Sequence, residues 1–327
     1  MDATTQQRKW NSRWNDNPVF DADGNACAAK LTERDIEIFK LLVRYRYLPS
    51  DDIHAFVGGS LNAVARRLNL LSRAPNNYLA KPHQQRECAD ANYRRLIYEL
   101  GARGSGVLAD RGLPCLAKSC HRNFAHELMV ARIMASIELG ERADPALRLI
   151  TWPEILASET TPAATRESRT AASLPVTFSL NNQTRSVNLT ADARPFGIER
   201  TRDGERSYLF FPGIEADCAT EPIEASDFER SSIVKKFAAY RAAVSQDLHR
   251  SHFGFPNFFV PFITTNQTRM QSMMKLLERM TGGRGSKMFL FRTFPAFNSF
   301  EKPPPADGHM LTRPWQRVGF EPFSFTE

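Results

Sequence analysis

The stretch LTERDIEIFKLLVRYRYLPSDDIHAFVGGSLNAVARRLNLLSR, residues 31–73, decides the fold. Thr32 can cap a helix whose first turn holds Glu33 and Asp35, where the positive end of the helix dipole favours acids. Ile36, Phe39, Leu42 and Val43 recur at three- and four-residue steps and give that helix one apolar face. Pro49-Ser50 ends it and starts a second, with Asp51 and Asp52 in the first turn and Ile53, Phe56 and Val57 facing inward. Gly58-Gly59 makes a turn. Ser60 can then cap a third helix, with Leu61, Val64, Leu68 and Leu71 on one side and Asn62, Arg66, Arg67 and Asn69 on the other.

Beyond this stretch, Tyr78–Lys81 and Arg94–Leu100 read as two paired strands around a polar loop containing His83 and Arg86. Three short helices followed by a hairpin is the order of a winged helix-turn-helix, which places its third helix in a DNA major groove. Arginine and asparagine are the side chains that read guanine and adenine edges or grip phosphates. The expected DNA contacts are therefore Ser60, Asn62, Arg66, Arg67, Asn69 and Arg73 from the third helix, with Lys81, Arg94 and Arg95 from the wing. A partner-binding wing without DNA contact is the alternative.

The 327 residues suit two domains, and 42% hydrophobic content supports a real core. No apolar run approaches the roughly 20 residues of a membrane span, and residues 1–20 lack the apolar centre of a signal peptide. Five irregularly spaced cysteines fit a reducing cytoplasm rather than a disulfide scaffold. A net charge of +7 and a pI near 9.3 favour an acidic partner such as nucleic acid.

Further along, Arg122–Leu139 reads as a connecting helix and the Thr/Ala/Ser/Arg-rich segment Ser158–Ser173 as a mobile loop. From Leu174 the period becomes two. Val176–Leu180 and Ser186–Leu189 can pair through Asn181-Asn182, and Asp192–Ile198 can be joined to Tyr208–Ala216 through Asp203-Gly204. A helix over Phe228–Gln246, a strand over Asn257–Ile263, a helix over Gln267–Met280 and a strand over Lys287–Arg292 complete an α/β order with a mixed sheet. The domains read as an arm over 1–30, a winged helix over 31–120, a connecting helix over 121–145, an α/β domain over 146–297 and a tail over 298–327. That tail is rich in proline and aromatics (Trp315, Phe320, Phe323, Phe325) and reads as an arm docked on its own domain or on a second subunit.

The chain resembles the replication-relaxation proteins, which accompany mobilisation of plasmids and integrative elements. The likeness runs from Leu31-Thr32-Glu33-Arg34-Asp35 and Leu41-Leu42 through Tyr98-Glu99-Leu100-Gly101 and His126-Glu127-Leu128. It continues with Asp192, Glu215-Ala216-Asp217, Lys235 or Lys236, and Tyr240, and spans about residues 31–293. Ala191-Asp192 stands where the family has Pro-Asp. The expectation is a DNA-binding accessory or regulatory protein of a mobile element, in replication, mobilisation or transcription control, with double-stranded DNA as ligand, a relaxase or replication protein as a candidate partner and a homodimer as a candidate assembly; the DNA binding is also what the resemblance implies. The resemblance further implies a restriction-endonuclease-like second domain.

A nuclease of that kind holds Mg²⁺ on two carboxylates and has a lysine two residues after the second to orient the attacking water. Asp192 and Glu215 suit the carboxylates, but Asp217 stands at the lysine position; Lys235 or Lys236 could substitute. The preferred expectation is an inert domain with no cofactor; Mg²⁺ enters only under the nuclease alternative, and a protein-interaction scaffold is the third. Cys115, Cys120, His121 and His126 lack zinc-site spacing. Gly282-Gly283-Arg284-Gly285 follows a helix and precedes a strand, the reverse of a phosphate-binding loop. The methionines of 270–280 read as core.

Overall fold

The computed structural model describes residues 14, 16–87, 94–114, 123–224, 231–297, 299, 301 and 303–326. The chain forms two compact units. The first comprises Met1–Ala135 with Phe297–Glu301 and Pro305–Asp307, the second Ser136–Ala296, Lys302–Pro304 and Gly308–Glu327.

In the first unit, α1 (Glu33–Tyr45) starts at a reciprocal cap: the Thr32 hydroxyl faces the Asp35 amide while the Asp35 carboxylate accepts from Thr32. Its apolar stripe is fully buried at Ile36, Phe39 and Leu42. A two-residue strand β1 (Leu48–Pro49), absent from the sequence reading, leads into α2 (Ser50–Val57) and then α3 (Leu61–Ser72). Strands β2 (Leu79–Ala80) and β3 (Ile97–Leu100) pair antiparallel, and β1 adds to the other side of β3, giving the order β1-β3-β2. The buried Gln85 amide supports this small sheet from a 3-10 helix (His83–Arg86), donating to the Ile97 carbonyl and accepting from its amide.

After β3 comes α4 (Ala102–Asp110), which sequence reading missed because Gly104 and Gly106 lower its helix propensity. Gly104 is required there: a Cβ would meet the Tyr78 carbonyl at 2.4 Å. The long helix α5 (Phe124–Ala143) contributes Ala131 and Ala135 to the first core, and its Arg132 meets the buried Asp52 of α2 at 2.9 Å. Asp52 is thus half of an ion pair rather than a solvated first-turn acid.

The second unit begins with β4 (Leu147–Ile150), α6 (Trp152–Ala157) and α7 (Ala163–Arg166). The expected mobile loop is instead a built segment. The buried Thr161 hydroxyl donates to the Ile155 carbonyl at 2.6 Å, and the buried Thr165 hydroxyl to the His252 carbonyl at 2.6 Å. Hairpin β5 (Leu174–Leu180)–β6 (Gln183–Leu189) turns at Asn181-Asn182, both with positive φ. Strand β7 (Phe196–Arg202) lies between β4 and β8 (Glu205–Phe211), all antiparallel, with the Asp203-Gly204 turn as expected.

The central sheet is mixed. β9 (Glu215–Asp217), β10 (Val260–Thr264) and β11 (Ser286–Thr293) run parallel, and β12 (Gln316–Val318) joins β11 antiparallel. Helices α8 (Ile233–Ser245), α9 (Leu248–Ser251) and α10 (Gln267–Met280) fall between these strands in the chain. Phe237 and Tyr240 of α8 and Met270, Met273 and Leu277 of α10 bury against Phe262, Phe289 and Phe291. The methionine stripe is therefore core, and the expected mixed α/β class holds.

The aromatic tail belongs to the same unit: α11 (His309–Thr312) precedes β12, Trp315 is fully buried, and Phe325 packs on it. The glycine run after α10 is a helix-to-strand turn. Gly282, Gly283 and Gly285 all have positive φ, and a Cβ at Gly285 would meet the Val318 carbonyl at 2.0 Å.

Candidate nucleic-acid face and acidic centre

α3 buries Val64, Leu68 and Leu71 and turns its other side to solvent. Asn62 and Arg66 are exposed there, and neither side chain has a partner among the described residues. Ser60 occupies the N-cap position, but its hydroxyl makes no capping bond and stays exposed. Asn69 is half-buried on the same helix, and Arg73 is its C-cap. Positions 62, 66, 69 and 73 follow one another at helical spacing and form one stripe.

Arg67 has another task. Its Nε donates to Asp35 Oδ1 at 2.9 Å and its Nη2 to Oδ2 at 2.6 Å, and Nη2 also reaches the Lys30 carbonyl at 2.7 Å. Asp35 is 1% exposed. Burial pushes its carboxyl up, but the Arg67 and Thr32 bonds together outweigh this and hold it below the ordinary 3.8. Arg67 is thus a strut between α3 and α1, and the adjacent Arg66 is the presented cation. A pattern of polar positions cannot separate two neighbours on one helix face when a buried acid on another helix selects between them.

The wing divides in a similar way. Arg95 is exposed without a partner among the described residues. Arg94 donates to the carbonyls of Phe297 and Ser299 and lies over the Phe297 ring. The Lys81 side chain is 1% exposed, with its ammonium 3.6 Å from Asp16, and burial pushes its pKa down. Arg86 also faces Asp16, at 4.0 Å, and its guanidinium stacks on Trp14. Asp16 was not foreseen as a site residue: a lone acid in a polar arm carries no periodic signal.

In the second unit, Asp192, Glu215, Asp217, Lys236 and Tyr240 form one acidic centre. Asp192 lies ahead of β7 rather than within a strand. Its amide donates to the Ile214 carbonyl at 2.9 Å and its Oδ2 accepts from the Ala216 amide at 2.7 Å, which sets it beside β9. Glu215 is 2% exposed; its carboxylate accepts from the Tyr240 hydroxyl and lies 2.9 Å from Lys236 Nζ. Burial pushes Glu215 up despite the Lys236 charge. Burial also works against the Lys236 ammonium, but Glu215, Asp192 and Glu221 outweigh it and hold its pKa above the ordinary range. Lys236 further reaches Glu221 at 3.2 Å. It is Lys236 that meets the acids; the neighbouring Lys235 is buried one position away on α8.

Asp217, at the position where a catalytic lysine was sought, is clamped. Arg269 of α10 donates to both of its oxygens, and the Thr264 hydroxyl donates to Oδ2 at 2.7 Å. Arg269 also bonds the Glu221 carbonyl. Sequence reading missed Arg269, although a signal existed: a cation in the first turn of a helix opposes the dipole and suggests an acidic partner elsewhere. Burial, with Asp217 and Asp192, raises the Cys218 thiol to about 11, which keeps it protonated and unreactive.

Among the described residues, no group of three or more His, Cys, Asp or Glu is arranged to hold a metal ion. Cys115, Cys120 and His121 lie outside the described residues. Among the described residues, no helix is long and apolar enough to cross a membrane.

A family model described as replication-relaxation matches residues 39–257, more than half of the chain. The chain belongs to the replication-relaxation family, and this membership points to a role in replication or in the mobilisation of mobile elements. No curated protein and no solved structure matches it.

Proposed function

We propose that this replication-relaxation protein is a DNA-binding accessory or regulatory protein of a mobile element, and that its first unit acts as a winged helix on double-stranded DNA. The observation that carries this reading is the solvent face of α3, where Asn62 and Arg66 stand exposed and without a partner among the described residues, beside an exposed Ser60 that makes no capping bond. An exposed arginine is suited to bidentate contact with guanine or phosphate, and an exposed asparagine to adenine. The helix order and the β1-β3-β2 sheet agree with the reading, as does the net charge of +7. Arg95 supplies a wing cation, whereas Arg67 and Arg94 hold the unit together. A relaxase or a replication protein is the partner class that fits this role, in the cytoplasm.

Titration of a labelled duplex from the gene's own locus at several KCl concentrations tests it. Binding should weaken log-linearly with salt, since phosphate neutralisation releases counterions. Binding that ignores salt, or no binding at low salt, would leave a protein-interaction scaffold as the better reading.

A second reading is a Mg²⁺-dependent nuclease on Asp192 and Glu215. The adjacency of those two carboxylates through the Ala216 amide favours it, with Lys236 as the nearby cation. Against it, the buried Glu215 carboxylate is already engaged by the Tyr240 hydroxyl and the Lys236 ammonium. We therefore read the second unit as catalytically inert.

A further inference from the structure

We propose that Arg73, Lys81 and Arg86 form a phosphodiester-binding site, and that the carboxylate of Asp16 occupies it as an internal stand-in for phosphate. The proposal rests on the DNA-binding reading and adds a regulated contact to it.

Three cations from three segments converge on one short piece of the N-terminal arm. Arg73 ends α3 and donates from Nε to the Asn17 carbonyl at 2.8 Å, and the next residue, Ala74, donates its amide to the Asp16 carbonyl at 3.0 Å. Lys81 follows β2 and Arg86 ends the 3-10 helix beyond it; both face the Asp16 carboxylate, at 3.6 and 4.0 Å. These ion-pair distances are longer than the 2.7–2.9 Å typical of a strong charge-assisted hydrogen bond, and Asp16 is 63% exposed. A pair so exposed is held weakly. Lys81, by contrast, has been drawn out of water and needs a counter-charge. Lys81 and Arg86 share the one Asp16 carboxylate, while Arg73 bonds the adjacent Asn17 carbonyl, so three cations crowd the same short piece of the arm.

A phosphodiester carries the same single charge on two terminal oxygens and can take over this position. The arm need not leave. It is anchored by the Asp16 and Asn17 carbonyls and by Trp14 under Arg86, so a change of the Asp16 side-chain rotamer alone would vacate the site. Arg73 lies two turns along α3 from Arg66, on the stripe already described, so the site continues the face that carries the DNA reading.

The test compares the full chain with Asp16→Asn, which removes the charge and keeps the side-chain shape. Duplex affinity is measured across a KCl series. Asp16→Asn should bind about three- to tenfold more tightly at low salt, with a log–log salt slope steeper by up to about 0.9. Arg86→Gln, at an exposed position, should cancel that gain in the Asp16→Asn background. Unchanged or weaker affinity in Asp16→Asn overturns the site while leaving the α3 reading intact. No binding by either protein overturns both. Far-ultraviolet circular dichroism confirms that both chains are folded.

Discussion

Arg66 and Arg67 are neighbours in sequence, and their replacement should produce opposite kinds of damage. Arg67→Ala removes both guanidinium bonds from Asp35 and leaves a 1%-exposed carboxylate with only its Thr32 contacts. Removing one partner of a buried ion pair costs about 3–5 kcal/mol. The Arg67 side chain is 29% exposed and Asp35 keeps two donors at 2.8 Å, so roughly 2–3 kcal/mol is the appropriate range here. With urea m-values of about 1–3 kcal/mol/M, the first unit's unfolding midpoint should fall by about 1 M.

The pH dependence should change sign as well. In the native chain the depressed Asp35 pKa contributes stability that is complete above the ordinary 3.8 and is lost as pH falls through the lower folded value. Without Arg67, burial dominates, the folded pKa rises, and stability should instead recover as the pH drops. Asp35→Asn in the Arg67→Ala background should restore part of the loss. Arg66→Ala, on an exposed side chain without a partner among the described residues, should change stability by no more than about 0.5 kcal/mol. It should weaken DNA binding: about 0.9 off the salt slope for a phosphate contact, or about 1–3 kcal/mol of lost sequence preference for a base contact. An Arg67→Ala protein that unfolds at the native urea midpoint would refute the strut.

Three other outcomes are expected. Lys236→Met should destabilise the second unit by about 2–4 kcal/mol, because Glu215 would keep its burial and lose its counter-charge; an unchanged melting curve would contradict the ion pair. The purified chain should not cut single- or double-stranded DNA with Mg²⁺ or Mn²⁺, and cleavage abolished by both Asp192→Ala and Glu215→Ala would reverse that view. Gly285→Ala should cost about 1–3 kcal/mol by chemical denaturation, since it forces a side chain into positive φ against the Val318 carbonyl; a neutral result would argue against that turn.

Elements with strong periodicity and caps were legible from the residues alone. α1 with its Thr32 cap, the Asn181-Asn182 turn and α10 over Gln267–Met280 all lie where the pattern puts them. Elements held by long-range partners were not. β1 has only two residues and exists because Tyr98 and Ile97 lie opposite it. α4 is obscured by glycines that serve close packing. Asp192 was placed on a strand, although side-chain and backbone bonds beside β9 fix it there without one. The acidic centre was legible as residue types but not as charge balance. Three carboxylates stand in the motif, and the charge of Asp217 is offset by Arg269, 52 positions away. Local sequence cannot reveal a counter-charge so distant along the chain.

That clamp has an evolutionary consequence. Asp217→Lys alone would not return an available ammonium to position 217, because it would set two cations against each other where Arg269 now donates. Thr264 would at the same time lose its acceptor. A useful lysine there would require a compensating change at position 269, and the two substitutions are strongly non-additive because the residues touch. Each single step passes through a less stable protein. The path to a lysine at this position is therefore barred by epistasis between β9 and α10 as well as by the residue that β9 now carries.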